Sequence, residues 1–232
     1  MSSMLLDSFT SGLALLVGGV RELWGIVLLS LRCTALACLC ASAIGVPLAF
    51  LLTNYTFPGK RGVIVLLNTL QALPTVVVGL FLYVFISRRG VFGAFDLLYS
   101  PGAITLGQCI LILPLVTMFV LAALSRLDGR YRLTALTLGA NEWQAAITVM
   151  REARFAVIAA LCAAFGRGIA EVGVSMMLGG NIKGYTRTMT TAMALEYDKG
   201  EFTLALALGV VLLVVSFILN AALAFFQGRV EA

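Results

Sequence analysis

Five apolar segments set the fold class of this chain before any motif is considered. They lie approximately at 24–52, 63–86, 103–124, 153–178 and 202–226. Each has at least the roughly 20 residues that a helix needs to cross the hydrocarbon core of a bilayer. Helices suit this environment because they satisfy the backbone polar groups internally. The sequence therefore predicts an all-α integral membrane protein with about five spanning helices, in a single transmembrane domain over residues 1–232.

Composition agrees with this class and argues against several functions. Charged residues make up 12% of the chain, whereas soluble domains contain about 25%. The absence of histidine removes histidine-based acid–base chemistry and metal ligation. The net charge of +5 is small and mostly in loops, so it reflects membrane orientation rather than nucleic-acid binding. The five cysteines lie in apolar runs without metal-site spacing, so we expect no metal or cofactor on this chain.

The order of the segments predicts which loops face which side of the membrane. Residues 5–20 are apolar but interrupted by Ser, Gly and Thr, so we interpret 1–21 as an interfacial N-terminal segment rather than a sixth span. Five basic residues cluster in 126–154, and basic loops tend to stay on the cytoplasmic side. The sequence therefore predicts a cytoplasmic loop at 126–152 and an extracytoplasmic loop at 179–201.

The cytoplasmic loop contains a candidate docking hairpin, YRLTALTLGANEWQAAITVMRE. The pattern predicts a helix at 133–138, a turn at Gly139 and Ala140, and a second helix from Asn141. Apolar residues at helical spacing would share one face: Leu133, Leu136, Ala140, Trp143 and Ile147. Such a face needs a partner groove, and the candidate coupling residues are Leu133, Ala135, Leu136, Gly139, Ala140 and Trp143. The alternative is an ordinary cytoplasmic linker.

An arginine and a glutamate lie inside the fourth apolar segment, in FGRGIAEVG. Each costs about 2.5–3.5 kcal/mol at bilayer depth on insertion scales. Arg167 and Glu171 are four residues apart, so they share a helical face and can pair. One interpretation is a gate or pathway element for an anion, since a partly neutralised arginine holds an ion without trapping it. The other is a buried pair that locks helices together.

The second apolar segment contains a proline, in QALPTVVVG. Pro74 removes a helix hydrogen bond and therefore kinks or breaks the helix. A break inside a span usually faces protein or a water-lined path. Pro74 and Thr75 are therefore candidate pathway residues, and the alternative is a kink that serves packing alone.

The predicted extracytoplasmic loop is rich in cationic and hydroxyl side chains. This mixture suits passage of an oxyanion, whose oxygens accept hydrogen bonds. The candidate outer-loop residues are Asn181, Lys183, Tyr185, Thr186, Arg187 and Thr188. The alternative is a solvated loop that only contacts a partner protein.

The size of the chain and its few polar groups narrow the function classes further. Five helices can hardly enclose a gated pathway alone, so we expect a homodimer with the pathway on its two-fold axis. No internal repeat is visible, which argues against a secondary transporter. A membrane-embedded enzyme would need convergent catalytic groups, and Glu171 is the only acid well inside a span. We therefore expect a chain that is not itself catalytic.

Four segments resemble the permease subunits of type I ABC importers, and the tungstate-transporter permeases in particular. They are LPTVVVGL, LTLGA, FGRGIAEVG and GGNIKGYTRTMTTAMALE. In the coupling loop of that family, Gly139 and Ala135 match the usual pattern. Leu133 and Thr134 depart from it, because they stand where glutamate and alanine are usual.

The resemblance implies a homodimeric type I ABC importer transmembrane domain in a prokaryotic cytoplasmic membrane. The implied partners are a second copy of the chain, two cytoplasmic ATP-binding subunits that hold ATP and Mg²⁺, and an extracytoplasmic tungstate-binding protein. It also implies alternating access, with 133–143 transmitting the movement of the ATPases. Molybdate, sulfate and phosphate are alternative substrates, and an ATP-independent membrane carrier is a second alternative.

Overall fold

The computed structural model describes residues 21–231, and its regular structure is entirely helical. The α-helices are α1 Arg21–Asn54, α2 Lys60–Gln71, α3 Thr75–Ile86, α4 Pro101–Ser125, α5 Arg130–Thr137, α6 Glu142–Glu152, α7 Arg154–Ile169, α8 Gly173–Gly179, α9 Met189–Lys199 and α10 Phe202–Glu231. A 3-10 turn at Gly93–Phe95 precedes α4. The predicted all-α class is confirmed. The interfacial helix expected at 5–20 lies outside the described residues.

Three of these helices are long and apolar enough to cross a membrane unaided. They are α1, α4 and the Phe202–Ala222 part of α10. Two bent pairs are together long and apolar enough for one further crossing each, α2 with α3 at an angle of 100° and α7 with α8 at 59°. When each bent pair is counted once, the described residues contain five crossings, which is the predicted number.

The bend between α2 and α3 falls at the predicted proline. Pro74 is the N-cap of α3, with φ −60° and ψ 127°. Its ring nitrogen has no hydrogen to donate to the preceding turn, so the helix cannot continue through it. The amides of Val77 and Val78 then bond to the carbonyl of Pro74 at 3.0 and 3.2 Å and begin a new helix. The predicted helix break is confirmed.

The fourth crossing is broken, whereas the sequence predicted one continuous span at 153–178. α7 ends at Ile169 and α8 begins at Gly173. Side chains supply the hydrogen bonds that a continuous helix would have made. The Glu171 carboxylate accepts from the amide of Val174 at 3.3 Å, and the Thr190 hydroxyl donates to the carbonyl of Glu171 at 2.8 Å. The break is tolerated at membrane depth because its polar groups find partners inside the protein.

Small residues bring α1, α4 and α7 close together in the centre of the bundle. The shared core contains Ala37, Ala41, Ala49, Ile112, Val116, Val120, Ala160 and Ala164. A Cβ added to Gly45 of α1 would lie 2.9 Å from Thr117 Oγ1, and one added to Gly168 of α7 would lie 2.5 Å from Ile112 Cδ1. In a bilayer, such close backbone approach is what favours helix association, because lipid is as apolar as the helices themselves.

α1 connects the two ends of the bundle. Its first turns pack on α9, where Leu23 and Ile26 share a core with Met189. Its last turns reach α6, where the Phe50 ring meets the Trp143 ring edge-on at a centroid distance of 5.5 Å. The 126–152 segment defines what we call the hairpin end, and the 179–201 segment defines the opposite, α9 end.

Gly107 marks a contact between α4 and α8 that leaves no room for a side chain. An added Cβ would lie 2.3 Å from Val174 Cγ1 and 2.6 Å from Leu178 Cδ1. We expect Gly107→Val to destabilise the folded chain by at least the roughly 1–3 kcal/mol of an overpacked core. The melting temperature in detergent should fall accordingly. Gly62→Ala is the matched control, because a Cβ there meets nothing within 4 Å. Equal melting temperatures for the two variants would contradict this packing.

Candidate functional site

The two helix breaks meet in one cleft near the middle of the bundle. Residues around the breaks and one face of α4 line a cavity of about 30 Å³: Leu70, Gln71, Leu73, Thr75, Gln108, Leu111, Ile112, Leu115, Arg167, Gly168 and Glu171. That volume is room for water rather than for a larger solute. The breaks touch because position 173 is glycine, where a Cβ would lie 2.7 Å from Thr75 Oγ1 and 3.2 Å from the amide of Val76.

Arg167 and Glu171 form the ion pair that the sequence predicts. Arg167 Nη1 donates to Glu171 Oε2 at 2.9 Å, and the other carboxylate oxygen accepts from the amide of Val174. The Glu171 side chain is 4% exposed, whereas that of Arg167 is 50% exposed. The negative charge is therefore enclosed and bonded through both oxygens, while half of the Arg167 side chain remains exposed. This arrangement can offer a partly neutralised positive charge to an anion.

Gln108 joins four helices at this cleft and was missed by the sequence analysis. Its side chain is buried and accepts a hydrogen bond from Thr34 Oγ1 of α1 at 3.2 Å. Its amide nitrogen lies 3.5 Å from the carbonyl of Gly168 and 3.4 Å from Ser175 Oγ, at the two sides of the α7–α8 break. The available signal was a lone carboxamide in an apolar span, which is costly unless it bonds to neighbouring helices.

One of the two candidate residues of the second crossing lines the same cleft. Thr75 lines the cavity and is half-buried, whereas the Pro74 ring is exposed. Gln71, at the end of α2, adds a second polar lining group. The two breaks, at 71–75 and 167–171, are distant in sequence. Only the fold therefore brings them together beside Arg167.

The threonines of the 179–201 segment are buried and bonded within the chain. Thr186 donates to the carbonyl of Gly179 and accepts from the amide of Ile182. Thr188 caps α9 through a reciprocal capping box with Thr191. These hydroxyls stabilise the fold of the segment, and α9 packs on α1. The sequence predicted an extracytoplasmic loop at 179–201 and did not predict this short helix.

The other candidates at the α9 end differ in exposure. Lys183 is exposed and pairs with Glu22 of α1 at 2.9 Å, and the Tyr185 side chain is also exposed. Arg187 is mostly enclosed and lies 3.8 Å from a carboxylate oxygen of Glu196. The amide of Asn181 donates to the carbonyl of Thr191 at 3.2 Å. Lys183 and Tyr185 are therefore the candidates at this end that face outward, whereas Arg187 and the threonines are enclosed.

The hairpin end carries the predicted pair of short helices. α5 ends at Thr137, Gly139 turns the chain with φ +89°, and Asn141 caps α6 in a capping box with Gln144. Positive φ is easily adopted only by glycine, so the turn depends on this residue. An ion pair between Arg132 and Glu142 ties the two helices together.

The apolar residues of the hairpin divide between the bundle and the solvent. α6 packs inward through Ala145, Ala146 and Val149, and half-buried positions include Ala135, Leu136 and Ala140. Leu133 and Leu138 project outward, with Leu138 82% exposed. Trp143 touches Phe50 of its own chain yet remains 57% exposed. It therefore anchors the hairpin to α1 and also contributes to the exposed surface.

Comparison with known proteins identifies the family. The family described as binding-protein-dependent transport system inner membrane component matches residues 41–232. The tungstate uptake system permease protein TupB of Peptoclostridium acidaminophilum is 34% identical over 215 residues, covering 93% of this chain and 94% of that protein. TupB of Campylobacter jejuni is 42% identical over 166 residues, covering 72% and 70%. The molybdenum transport system permease protein ModB of Escherichia coli K12 is 34% identical over 180 residues, covering 73% and 78%.

A solved structure shows the same fold at low sequence identity. A chain of the MetNI methionine ABC transporter, in an inward-facing conformation, superposes with a TM-score of 0.69 at 18% identity, covering 90% of this chain and 94% of that one. The expected transmembrane fold of a type I ABC importer is confirmed. With its five crossings, the chain is a multi-pass inner membrane protein. It belongs to the family of binding-protein-dependent transport system inner membrane components.

Proposed function

We propose that this chain is the permease subunit of an ATP-driven tungstate importer and works as a homodimer. The observation that carries the proposal is the meeting of two broken crossings at a half-exposed arginine, in a chain similar to tungstate permeases over most of its length. Broken helices at membrane depth commonly mark substrate pathways, because the freed backbone must face protein or a polar cavity. An oxyanion that crosses the membrane needs a positively charged side chain along its pathway.

The Arg167–Glu171 pair acts in this proposal as an attenuated anion site. The exposed part of the guanidinium meets the oxyanion, while the enclosed carboxylate offsets some of its charge. A pathway must bind its ion weakly enough to release it. In a homodimer the two exposed arginines would face a common pathway on the two-fold axis.

The hairpin of α5 and α6 serves in this proposal as the contact to the ATPase. Exposed Leu133 and Leu138 give it an apolar surface, and the anchor of Trp143 on Phe50 passes displacement of the hairpin to α1. Two cytoplasmic ATP-binding subunits hold the ATP and Mg²⁺, and this chain holds neither. In this proposal the 126–152 segment is cytoplasmic, and the 179–201 segment faces the extracytoplasmic tungstate-binding protein.

Molybdate is the second candidate substrate, because a molybdenum transport permease is also similar over most of the chain. Tungstate and molybdate are tetrahedral dianions of the same charge, so a single attenuated arginine does not discriminate between them. Selection between them belongs to the binding protein in this proposal. Sulfate or phosphate uptake and ATP-independent transport are tested by the same assay.

Tungsten accumulation in cells tests the proposed function directly. Cells expressing this chain with its ATPase and binding protein should accumulate tungsten, measured by elemental mass spectrometry. The accumulation should stop when the ATPase is inactivated. Accumulation should resist a large excess of molybdate, sulfate or phosphate. Loss of uptake under molybdate would reassign the system to both ions. Accumulation that continues without ATPase activity would instead indicate an ATP-independent carrier.

Substitutions at the ion pair separate a pathway role from a structural one. Arg167→Ala should abolish uptake, yet it also leaves the buried Glu171 carboxylate unpaired, which typically costs about 3–5 kcal/mol. The double variant Arg167→Ala/Glu171→Gln removes both charges and keeps an acceptor for the amide of Val174. We expect this variant to fold as a dimer and still transport less than about a tenth of the normal amount.

Two controls accompany the double variant. Arg89→Ala removes an exposed cation elsewhere and should transport normally. Dimer mass and melting temperature establish that the double variant is folded. Restored uptake in Arg167→Ala/Glu171→Gln would mean that the pair only holds the helices together.

The turn of the hairpin can be disrupted without touching the membrane crossings. Proline cannot adopt the φ of +89° observed at Gly139, and a charge at half-buried Ala140 disturbs the same turn. We expect Gly139→Pro and Ala140→Asp to abolish co-purification of the ATPase while membrane insertion stays normal. Gly129→Ala is the control, because a Cβ there meets nothing within 4 Å. Unchanged co-purification in both disruptive variants would refute the coupling role.

A further inference from the structure

A second cationic cavity lies at the α9 end, on the far side of α1 from the cleft. Its volume is about 390 Å³, and its polar lining residues are Arg21, Glu22, Arg32, Tyr185 and Arg187. The opposite face of α1 packs against α7, where Leu23 and Val27 share a core with Ile169. The body of α1 therefore separates this cavity from Arg167 and Glu171.

The charges around this cavity do not cancel. Glu22 is already paired with Lys183 at 2.9 Å. Lys199 lies 3.0 Å from the Glu196 carboxylate, whereas Arg187 lies 3.8 Å from the same oxygen. The Arg187 side chain is only 11% exposed, and its Nε has no hydrogen-bond partner within the described part of the chain. A mostly enclosed guanidinium with a free N–H donor has too few acceptors and too little negative charge around it.

Arg32 adds a cation deeper along α1. It lies on the exposed face of the helix, about 16 Å beyond Arg21. It forms no ion pair with the side chains that the structure describes. A cation inside a membrane span is costly unless it finds an anion.

α1 is long enough for its first turns to reach the headgroup layer. α1 has 34 residues and is therefore about 51 Å long, whereas the hydrocarbon core is about 30 Å thick. When this excess length is shared between the two ends of α1, its first turns extend into the headgroup layer. The flexible stem of Arg32 lets its guanidinium reach toward that layer. Apolar Leu28 and Leu29 also line the cavity.

We propose that Arg21, Arg32 and Arg187 bind a phosphate-like tetrahedral oxyanion in this cavity. Guanidinium groups suit such anions because their planar forks donate to two oxygens at once. Two sources share this chemistry: the phosphate of an anionic phospholipid headgroup, and a free oxyanion in solution. The proposal stands on the cavity itself and does not depend on the transported substrate.

Binding measurements on the full-length chain test the proposal. The delipidated protein in detergent is titrated with sodium phosphate at constant ionic strength, and separately with phosphatidylglycerol, with phosphatidylcholine as the zwitterionic reference. The apparent Kd comes from the concentration dependence of the melting temperature. We expect Arg32→Gln to weaken binding by at least about tenfold, as for loss of a charge-assisted hydrogen bond. Arg89→Gln should leave it unchanged, because Arg89 does not line the cavity.

The two probes distinguish the source of the oxyanion, and the variants decide whether the cavity is the site. Arg32 is exposed and unpaired with any described side chain, so Arg32→Gln should fold normally, and Arg187→Gln provides a second, independent loss of charge. If the variants lose affinity only for phosphatidylglycerol, the cavity is a headgroup site. If they lose affinity only for phosphate, it is a site for a free oxyanion. Equal Kd values for Arg32→Gln and Arg89→Gln with both probes, or no binding of either probe, would overturn the proposal.

Discussion

The carboxylate of Glu171 is the group on which the bent fourth crossing depends. One of its oxygens accepts the amide of Val174 at the start of α8, and the other pairs with Arg167 at the end of α7. A charge at membrane depth is costly, and so is an unpaired amide. The Glu171 side chain supplies both a partner for the Arg167 charge and an acceptor for the Val174 amide. It therefore allows the crossing to end one helix at α7 and begin another at α8. Its own carbonyl accepts from Thr190, which also fixes the start of α9.

Glycine and glutamine turn two separate breaks into one structural unit. Gly173 lets the start of α8 lie against the start of α3, and Gln108 binds both sides of the α7–α8 break from α4. Side-chain bonds of this kind can be exchanged one at a time, whereas a sharp kink in a continuous helix interrupts its backbone hydrogen bonds. In the proposed mechanism, the angle between the two halves of a bent crossing is the quantity that would change at this cleft. In the proposed mechanism, movement of the hairpin would reach this cleft through α1.

The features predicted correctly are those decided within a few residues of sequence. The number of crossings follows from apolar segments of sufficient length, and the bend at Pro74 follows from a missing amide hydrogen. The Arg167–Glu171 pair follows from helical spacing. Gly139 marks the hairpin turn because few other residues adopt positive φ. None of these inferences needs a distant part of the chain.

By itself, the sequence determined a multi-pass helical membrane protein, its hairpin and the pair of charges, because hydrophobicity and backbone chemistry act locally. Only the tertiary structure decided that the fourth crossing breaks, since the bond from Thr190 comes from a distant segment. The same holds for Gln108, whose partners Thr34 and Ser175 lie on α1 and α8. The threonines of 186–191 looked available to an ion in sequence but are buried when α9 folds onto α1. Buried polar groups take whichever partners the packing of helices brings within reach, and that depends on the whole bundle.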